Sequence, residues 1–370
     1  MLVVSTPPKS TMRAFAAMAD EEATATVPEG IDSAGVERWF EANVEGAELP
    51  LAFERIAGGR SNLTYGVADA AGNRWALRRP PLGRGLASAH DMGREHRIIS
   101  ALQGTSVPVP PVAGMCDDES VNGAPFYVMG FVSGPVLRDR TEAERHFDEG
   151  ERREIGDRVV DTLVAIHEVD PDEVGLGELG KREDYVARQL HRWHGQWEKS
   201  KTDEVPLVDE VHERLVARIP EQGPATIVHG DYRLDNMILT EKGEVAAVVD
   251  WELCTLGDPL ADVGMLMVYW SQEGDELMPL FEAPTTAAGF QSREELRDRY
   301  AERSGRDLSE LDFYIALGSW KLAVILQGII ARVSAGQYGD DEGKDEGLKQ
   351  FARIVKRLAE AADEAERRLG

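Results

Sequence analysis

The segment that most restricts what this chain can become is His229-Gly230-Asp231-Tyr232-Arg233-Leu234-Asp235-Asn236, followed further on by Asp250-Trp251-Glu252. ATIVHGD, MILT and VAAVVD read as short strands, and EKGE as the turn that makes a hairpin of the last two. A carboxylate at a strand end, an Asn five residues on and a second carboxylate at the far end of that hairpin gather three oxygen donors around one place. Mg²⁺ prefers oxygen ligands. Phosphoryl transfer needs that ion to neutralise charge, and a further group to align an acceptor hydroxyl.

The rest of the chain has to supply a scaffold for that loop. At roughly 100–200 residues per domain, 370 residues make two modest domains or lobes. Residues 1–30 are rich in Ala, Thr, Pro and Glu and lack periodicity, which predicts a flexible N-terminal tail. Asp32 or Ser33 then caps a short helix, VERWFEANV. LAFERIA, LTYGVAD, RWALRR, VAGMC and APFYVMGFV read as five strands, with the helix HDMGREHRIISAL inserted between the third and fourth and the turn DDESVNG between the last two. From Thr141 onward helical spacing dominates, interrupted only by the hairpin region.

Composition removes several function classes. The net charge of −26 argues against a nucleic-acid partner held through phosphates. Only 9 of the 41 basic residues are Lys, which fits either a salty cytoplasm or an ordinary acidic protein. Cys116 and Cys254 stand alone, so a disulfide framework or zinc site is not expected and a reducing, cytoplasmic setting is. Pro7 and Pro8 replace the basic-then-apolar start of a signal peptide. Lys321, Gln327 and Arg332 interrupt the apolar run from Tyr314 to Val333, which predicts a buried helix and no membrane association.

The loop resembles the protein-kinase catalytic loop, His-Arg-Asp-x-x-x-x-Asn followed by Asp-Phe-Gly. With Gly in the second position it is more similar to the aminoglycoside phosphotransferase and choline kinase superfamily. That resemblance implies an α+β, bilobal protein-kinase-like fold: an antiparallel β N-lobe with one helix over 31–132, which binds nucleotide, and a mostly helical C-lobe over 133–370, which carries the catalytic loop and the acceptor-binding helices. It implies ATP as phosphoryl donor, with GTP not excluded, bound between the lobes with Mg²⁺. By the same resemblance Asp231 is the catalytic base or acceptor-orienting carboxylate, Asn236 and Asp250 are the metal ligands, and Asp262 braces the loop backbone. His229 packs beneath the loop, and Asp258-Pro259 reads as a helix cap and first-turn Pro. Arg233 stands where Ser/Thr kinases place a Lys, and either neutralises the transferred group or stabilises the loop. Glu252 is either a neighbour of the metal or a solvated carboxylate.

For the N-lobe, Gly58, Gly59, Ser61 and Asn62 lie between two predicted strands, where backbone amides can cover phosphates. The strand Trp75-Ala76-Leu77-Arg78 sits where kinases carry a phosphate-binding Lys, with Glu95 on the next helix to pair with it. Here Arg78 takes that place, or Arg79 if the register slips by one. Adenine would lie along Met129 and the Gly130-Phe131-Val132 connector, read by main-chain groups. His90, His96, His191 and His194 show no metal spacing with carboxylate support.

GGRSNLTYG, ALRRPPLG, GREHRIISALQGTSVPVPPV, VNGAPFYVMGFVSG and VVDWELCTLGDPLADVGML are similar to the branch of the superfamily fused to, or encoded beside, acyl-CoA dehydrogenases; the likeness covers roughly residues 50–335. An Arg in the LRRPP strand is usual in that branch. The resemblance implies a small-molecule hydroxyl acceptor of the hydroxyacyl-CoA kind and an acyl-CoA dehydrogenase as a partner. An aminoglycoside kinase is the alternative if helices 181–199 and 292–333 present clustered carboxylates. A catalytically silent nucleotide-binding partner module is the other, although it would have no need of Asp231, Asn236 and Asp250 together.

Overall fold

The computed structural model describes residues 27–56, 62–82, 91–202, 205–275, 283–335 and 344–369. Most of the expected tail, together with Gly58, Gly59 and Ser61, therefore lies outside the described residues. The chain divides into two compact units, Met1–Leu137 with Leu234–Leu253, and Arg138–Arg233 with Cys254–Gly370. The expected boundary at 132/133 is close to the first division, but the hairpin belongs with the N-terminal unit.

The first unit opens with α1 (Ser33–Asn43), whose N-cap is Asp32: its carboxylate accepts from the Gly35 amide at 2.9 Å. Val36, Phe40 and Val44 recur at helical spacing on the buried face. Five strands follow, β1 (Ala52–Ile56), β2 (Leu63–Ala68), β3 (Arg74–Arg79), β4 (Val112–Cys116) and β5 (Phe126–Gly130), in the order β1-β2-β3-β5-β4 with every pair antiparallel. Tyr65, Val67, Leu77, Phe126 and Val128 meet the α1 face in one core. Each fully buried side chain of this size contributes about 1.5–3 kcal/mol. The inserted helix α2 (Met92–Leu102) is capped by Asp91 and buries Glu95 beside Ile98 and Ile99. The DDESVNG turn is itself one helical turn, α3 (Glu119–Asn122), capped by Asp118 and ended by Gly123 at φ 70°.

The second unit begins with α4 (Arg140–His146) and α5 (Glu149–Glu168), the latter started by a reciprocal Asp148/Glu151 capping box. Then come α6 (Tyr185–Ser200), α7 (Pro206–Ala217) and the short strand β6 (Thr226–Val228). The chain returns to the first unit for the hairpin β7 (Met237–Leu239) and β8 (Val245–Val248), whose Ile238 and Ala247 pack with Val136 and Val249. Gly134 is required there, because a β-carbon would stand 1.8 Å from the Leu239 carbonyl oxygen.

Back in the second unit, β9 (Thr255–Gly257) pairs with β6, a strand the sequence did not announce. The helices α8 (Leu260–Tyr269), α9 (Arg293–Ser304), α10 (Leu311–Ser334) and α11 (Lys344–Arg367) complete it. By length and composition α10 could cross a membrane, but 83% of its apolar window is buried in the protein, as expected for a core helix. Leu322, Leu326 and Ile330 of α10 pack on Ile354, Val355 and Leu358 of α11. On another side Gly264 of α8 lets the helices touch, since a β-carbon there would fall 2.4 Å from the Tyr314 carbonyl oxygen.

Candidate active site

In the first unit the site is built around Arg78. Strand pleating sends Arg78 and Arg79 to opposite faces of β3, so a single residue of register decides which enters the buried cluster. Arg78 does, at 1% exposure: its Nε lies 3.1 Å from Glu95 Oε2 and its Nη2 donates to Asp250 Oδ1 at 2.7 Å, with Glu252 Oε2 at 3.8 Å. Asn62, the described member of the expected phosphate loop, donates to Glu252 at 3.1 Å. Arg79 faces away and donates to the carbonyls of Gly30, Asn122 and Pro80, a brace for the chain before α1.

One guanidinium thus faces three carboxylates. Burial works against the Arg78 cation, yet the charges of Glu95 and Asp250 raise its pKa further. Burial likewise opposes ionisation of Asp250, but Arg78 holds that carboxyl well below the usual range. Glu95, which bears the same burial with a poorer share of Arg78, is pushed up to about 7. Tyr127, buried against Glu95, is raised well above its ordinary value by burial and by that charge.

Asn236 and Asp250 stand at the two ends of the β7–β8 hairpin, and the Val249 amide donates to the Asn236 carbonyl at 2.9 Å. Both are buried, at 1% and 4% exposure, and Asp250 adopts φ 68°, in the left-handed region that residues other than Gly, Asn and Asp seldom enter. An amide oxygen and a firmly ionised carboxylate, in a cluster with surplus negative charge, fit a hard divalent cation such as Mg²⁺.

The second unit carries the loop. Asp262, fully buried at the start of α8, accepts from the amides of His229 at 2.6 Å and Gly230 at 2.8 Å. Burial opposes its charge, but bonds from His167 and the Gly230 amide keep its pKa low. His167 Nδ1 in turn meets the Tyr300 hydroxyl at 2.8 Å. His229 is buried, with its Nδ1 3.3 Å from the Asp231 amide, which is the packing role expected of it. Pro259, expected in the first turn of α8, is instead its N-cap residue; the Asp258 carboxylate before it accepts from the Leu260 amide at 3.0 Å and from Tyr314 at 2.7 Å.

Asp231 itself accepts from the Tyr269 hydroxyl at 2.8 Å, and the Arg233 guanidinium lies 4.7 Å above the Tyr269 ring. Lys321 of α10 donates to the Gly230 carbonyl at 3.0 Å. Sequence reasoning missed both Tyr269 and Lys321 as site residues. For Lys321 a signal existed, since a cation inside an apolar helix needs a reason.

One expectation is narrowed and another is revised. The amides of Gly130 and Phe131 donate to Pro111 and Arg74 carbonyls, at 2.6 and 3.1 Å, so those two main-chain donors are committed within the fold; Met129 is buried in the sheet beside them. His194, read as lacking carboxylate support, has Glu198 at 3.8 Å and Asp209 at 3.7 Å. Lys201 and Trp197 already hold those carboxylates, at 2.6 and 2.9 Å, which makes the group an ion-paired helix surface. His191 is exposed, and His96 packs edge-on against Tyr127.

A carboxylate on a backbone loop fixed by a buried Asp, with oxygen donors on the hairpin that follows, is equipment for phosphoryl transfer on a kinase-like α+β fold. Comparison with known proteins agrees with that class: residues 52–314 match the profile of the phosphotransferase enzyme family (APH), and the chain belongs to it. A crystal structure of a candidate aminoglycoside phosphotransferase from Ralstonia eutropha JMP134 is 34% identical, with a TM-score of 0.76 over 90% of this chain and 99% of that one. Acyl-CoA dehydrogenase family member 10 of Mus musculus is 34% identical over 85% of this chain, and family member 11 of Homo sapiens 31% over 89%. The chain spans only 29% and 42% of the length of those two relatives. A thermostable aminoglycoside phosphotransferase APH(4)-Ia variant, solved with AMP-PNP and hygromycin B, is 17% identical at a TM-score of 0.57 over 90% of this chain and 98% of that one, and shares the fold.

Proposed function

We propose that this member of the phosphotransferase family is an ATP- and Mg²⁺-dependent kinase that phosphorylates a hydroxyl of a small metabolite of the hydroxyacyl-CoA kind. The observation that carries the reading is the pair of hydrogen bonds that the His229 and Gly230 amides donate to the Asp262 carboxylate, which brace the backbone immediately before Asp231. Tyr269 then sets the orientation of the Asp231 carboxylate, which aligns the acceptor hydroxyl and takes its proton.

Asn236 and Asp250 would hold Mg²⁺, which when bound neutralises charge on the phosphates. Arg78 Nη1 is buried and has no hydrogen-bond partner among the described residues, a costly state that a phosphate oxygen would relieve. Arg233 is the candidate for a cation at the transferred group. The relatives named as acyl-CoA dehydrogenases support an acyl-CoA-type acceptor and a dehydrogenase partner; the Ralstonia protein's name points instead to an aminoglycoside.

The test is ADP release with hydroxyacyl-CoA, aminoglycoside, choline and sugar acceptors, comparing wild type with Asp231→Ala at matched ATP binding. Turnover with an acceptor that depends on Asp231 is expected. Equal, background-level ADP release by both proteins across the panel would favour the silent partner module.

A further inference from the structure

Lys321 sits in the middle of the apolar helix α10 at 8% exposure, where burying an ammonium costs several kcal/mol unless it is well partnered. Its Nζ has three N–H donors. Among the described residues one of them is used, on the Gly230 carbonyl at 3.0 Å, and no carboxylate lies within ion-pair distance. The Trp193 ring stands 5.5 Å away on α6.

Next to the ammonium is a hollow of about 10 Å³, lined by Lys321, Gly230, Asp262, Tyr185, Gln189 and Met265, room for a single oxygen atom of water size. The charged groups that face Lys321 are Asp231 and Asp262 on the loop side and Arg192 on α6; burial, which disfavours the cation, lowers its pKa. On α6 and α10, which line the hollow, carboxylates that could receive a polycation are few, whereas α9, within the same 292–333 stretch, carries Glu294, Glu295, Asp298 and Glu302, the first three of them ion-paired. Among the described residues α6 holds only Glu198, paired with Lys201, and α10 only Asp312, paired with Arg368.

We propose that Lys321 is a specificity-determining residue, whose ammonium receives an electron-rich oxygen of the acceptor, such as the carbonyl of a hydroxyacyl thioester, and thereby selects oxygen-rich, anionic acceptors over polycationic ones. The inference rests on the kinase reading above, and it names the acceptor chemistry for that site. Holding the carbonyl of Gly230, Lys321 touches the residue immediately before Asp231, so one oxygen on the lysine leaves a hydroxyl a few bonds away for the carboxylate. Arg192, exposed on α6, adds a second cation to the same unit.

Calorimetric titration of the full chain tests this without needing turnover. The probes are 3-hydroxybutyryl-CoA, its pantetheine thioester lacking the nucleotide phosphates, and kanamycin. Wild type is expected to bind both thioesters in preference to kanamycin, Lys321→Met to lose at least tenfold for both, Lys321→Arg to recover part, and Mg·ATP affinity to stay constant. Should Lys321→Met fail to fold, the exposed Arg192→Glu serves in its place, and is expected to weaken thioester binding several-fold at unchanged melting temperature. Thioester binding that is indifferent to both substitutions, or tighter binding of kanamycin by wild type, overturns the proposal. Lysine-dependent thioester binding without any ADP release would sustain the Lys321 site while sinking the kinase reading.

Discussion

Arg78 Nη2 donates to Asp250 Oδ1 at 2.7 Å, joining β3 to the end of the β7–β8 hairpin across 172 residues of sequence. The same guanidinium lies 3.1 Å from Glu95, so one side chain fixes the strand, the helix α2 and a candidate metal ligand together. Arg78→Ala leaves two buried carboxylates without their counter-charge, a change that costs about 3–5 kcal/mol. A lower melting temperature and weaker ATP binding are expected. Arg78→Lys keeps the charge without the fork and should retain part of the ATP affinity. Arg79→Ala loses its carbonyl partners near α1 and should lower stability alone. An ATP defect in Arg79→Ala as large as in Arg78→Ala would move the phosphate contact to the other face of β3.

Asp250→Asn removes the charge of the proposed metal ligand and one partner of Arg78. Titration of ADP release against Mg²⁺ should shift to higher concentration, with turnover falling at least a hundredfold. An unchanged Mg²⁺ dependence would remove Asp250 from the metal site.

Asp231 acts chiefly in the transition state, so Asp231→Ala should lower kcat by about 10²–10⁴-fold while ATP affinity holds. Tyr269→Phe loses one hydrogen bond to that carboxylate, and about tenfold in kcat is the expected scale. Steady-state kinetics with the acceptor found in the panel separates the two. A Tyr269→Phe effect confined to ATP binding would contradict an orienting role.

Glu95 gives the protein a pH signature. Its folded pKa is about 7 against an ordinary 4.5, so between those values the folded state keeps a proton that the unfolded chain releases. The resulting stability is complete below about 4.5 and is lost as pH rises through about 7, on the order of 3 kcal/mol at most. Buried His167, whose pKa is lowered by burial, acts in the opposite sense below its ordinary 6.5. The discriminating measurement is therefore the difference between wild type and Glu95→Gln in urea midpoints from pH 5 to 8. A difference that does not change across that range would show that Glu95 does not titrate there.

Asp262 holds two backbone amides and meets His167 at 3.4 Å. Asp262→Ala strands three buried donors, each worth about 1–3 kcal/mol, and should destabilise the fold outright. Asp262→Asn keeps the shape but can offer only one amide oxygen in place of two carboxylate oxygens. It should fold, with a kcat reduced tenfold or more and little change in ATP binding, as read by ADP release and calorimetry.

The sequence by itself determined the elements and the loop. Local chemistry was enough to place the Asp32 cap, the strands around Tyr65 and Leu77 and the hairpin after Asn236, because each depends on residues near one another; the bracing role of Asp262 came from the resemblance of the loop. What it could not decide was which long-range partners meet. A shift of one residue exchanges Arg78 for Arg79, and only the pairing of β3 with β5 settles which of them enters the Glu95–Asp250 cluster. Tyr269 reaches Asp231 across 38 residues and Lys321 reaches Gly230 across 91, contacts fixed by how α8 and α10 cross at Gly264. Helical periodicity reports which face of a helix is buried, but not what a polar residue on that face will touch; that depends on the packing of whole helices, and so only the tertiary structure could place these two side chains at the loop.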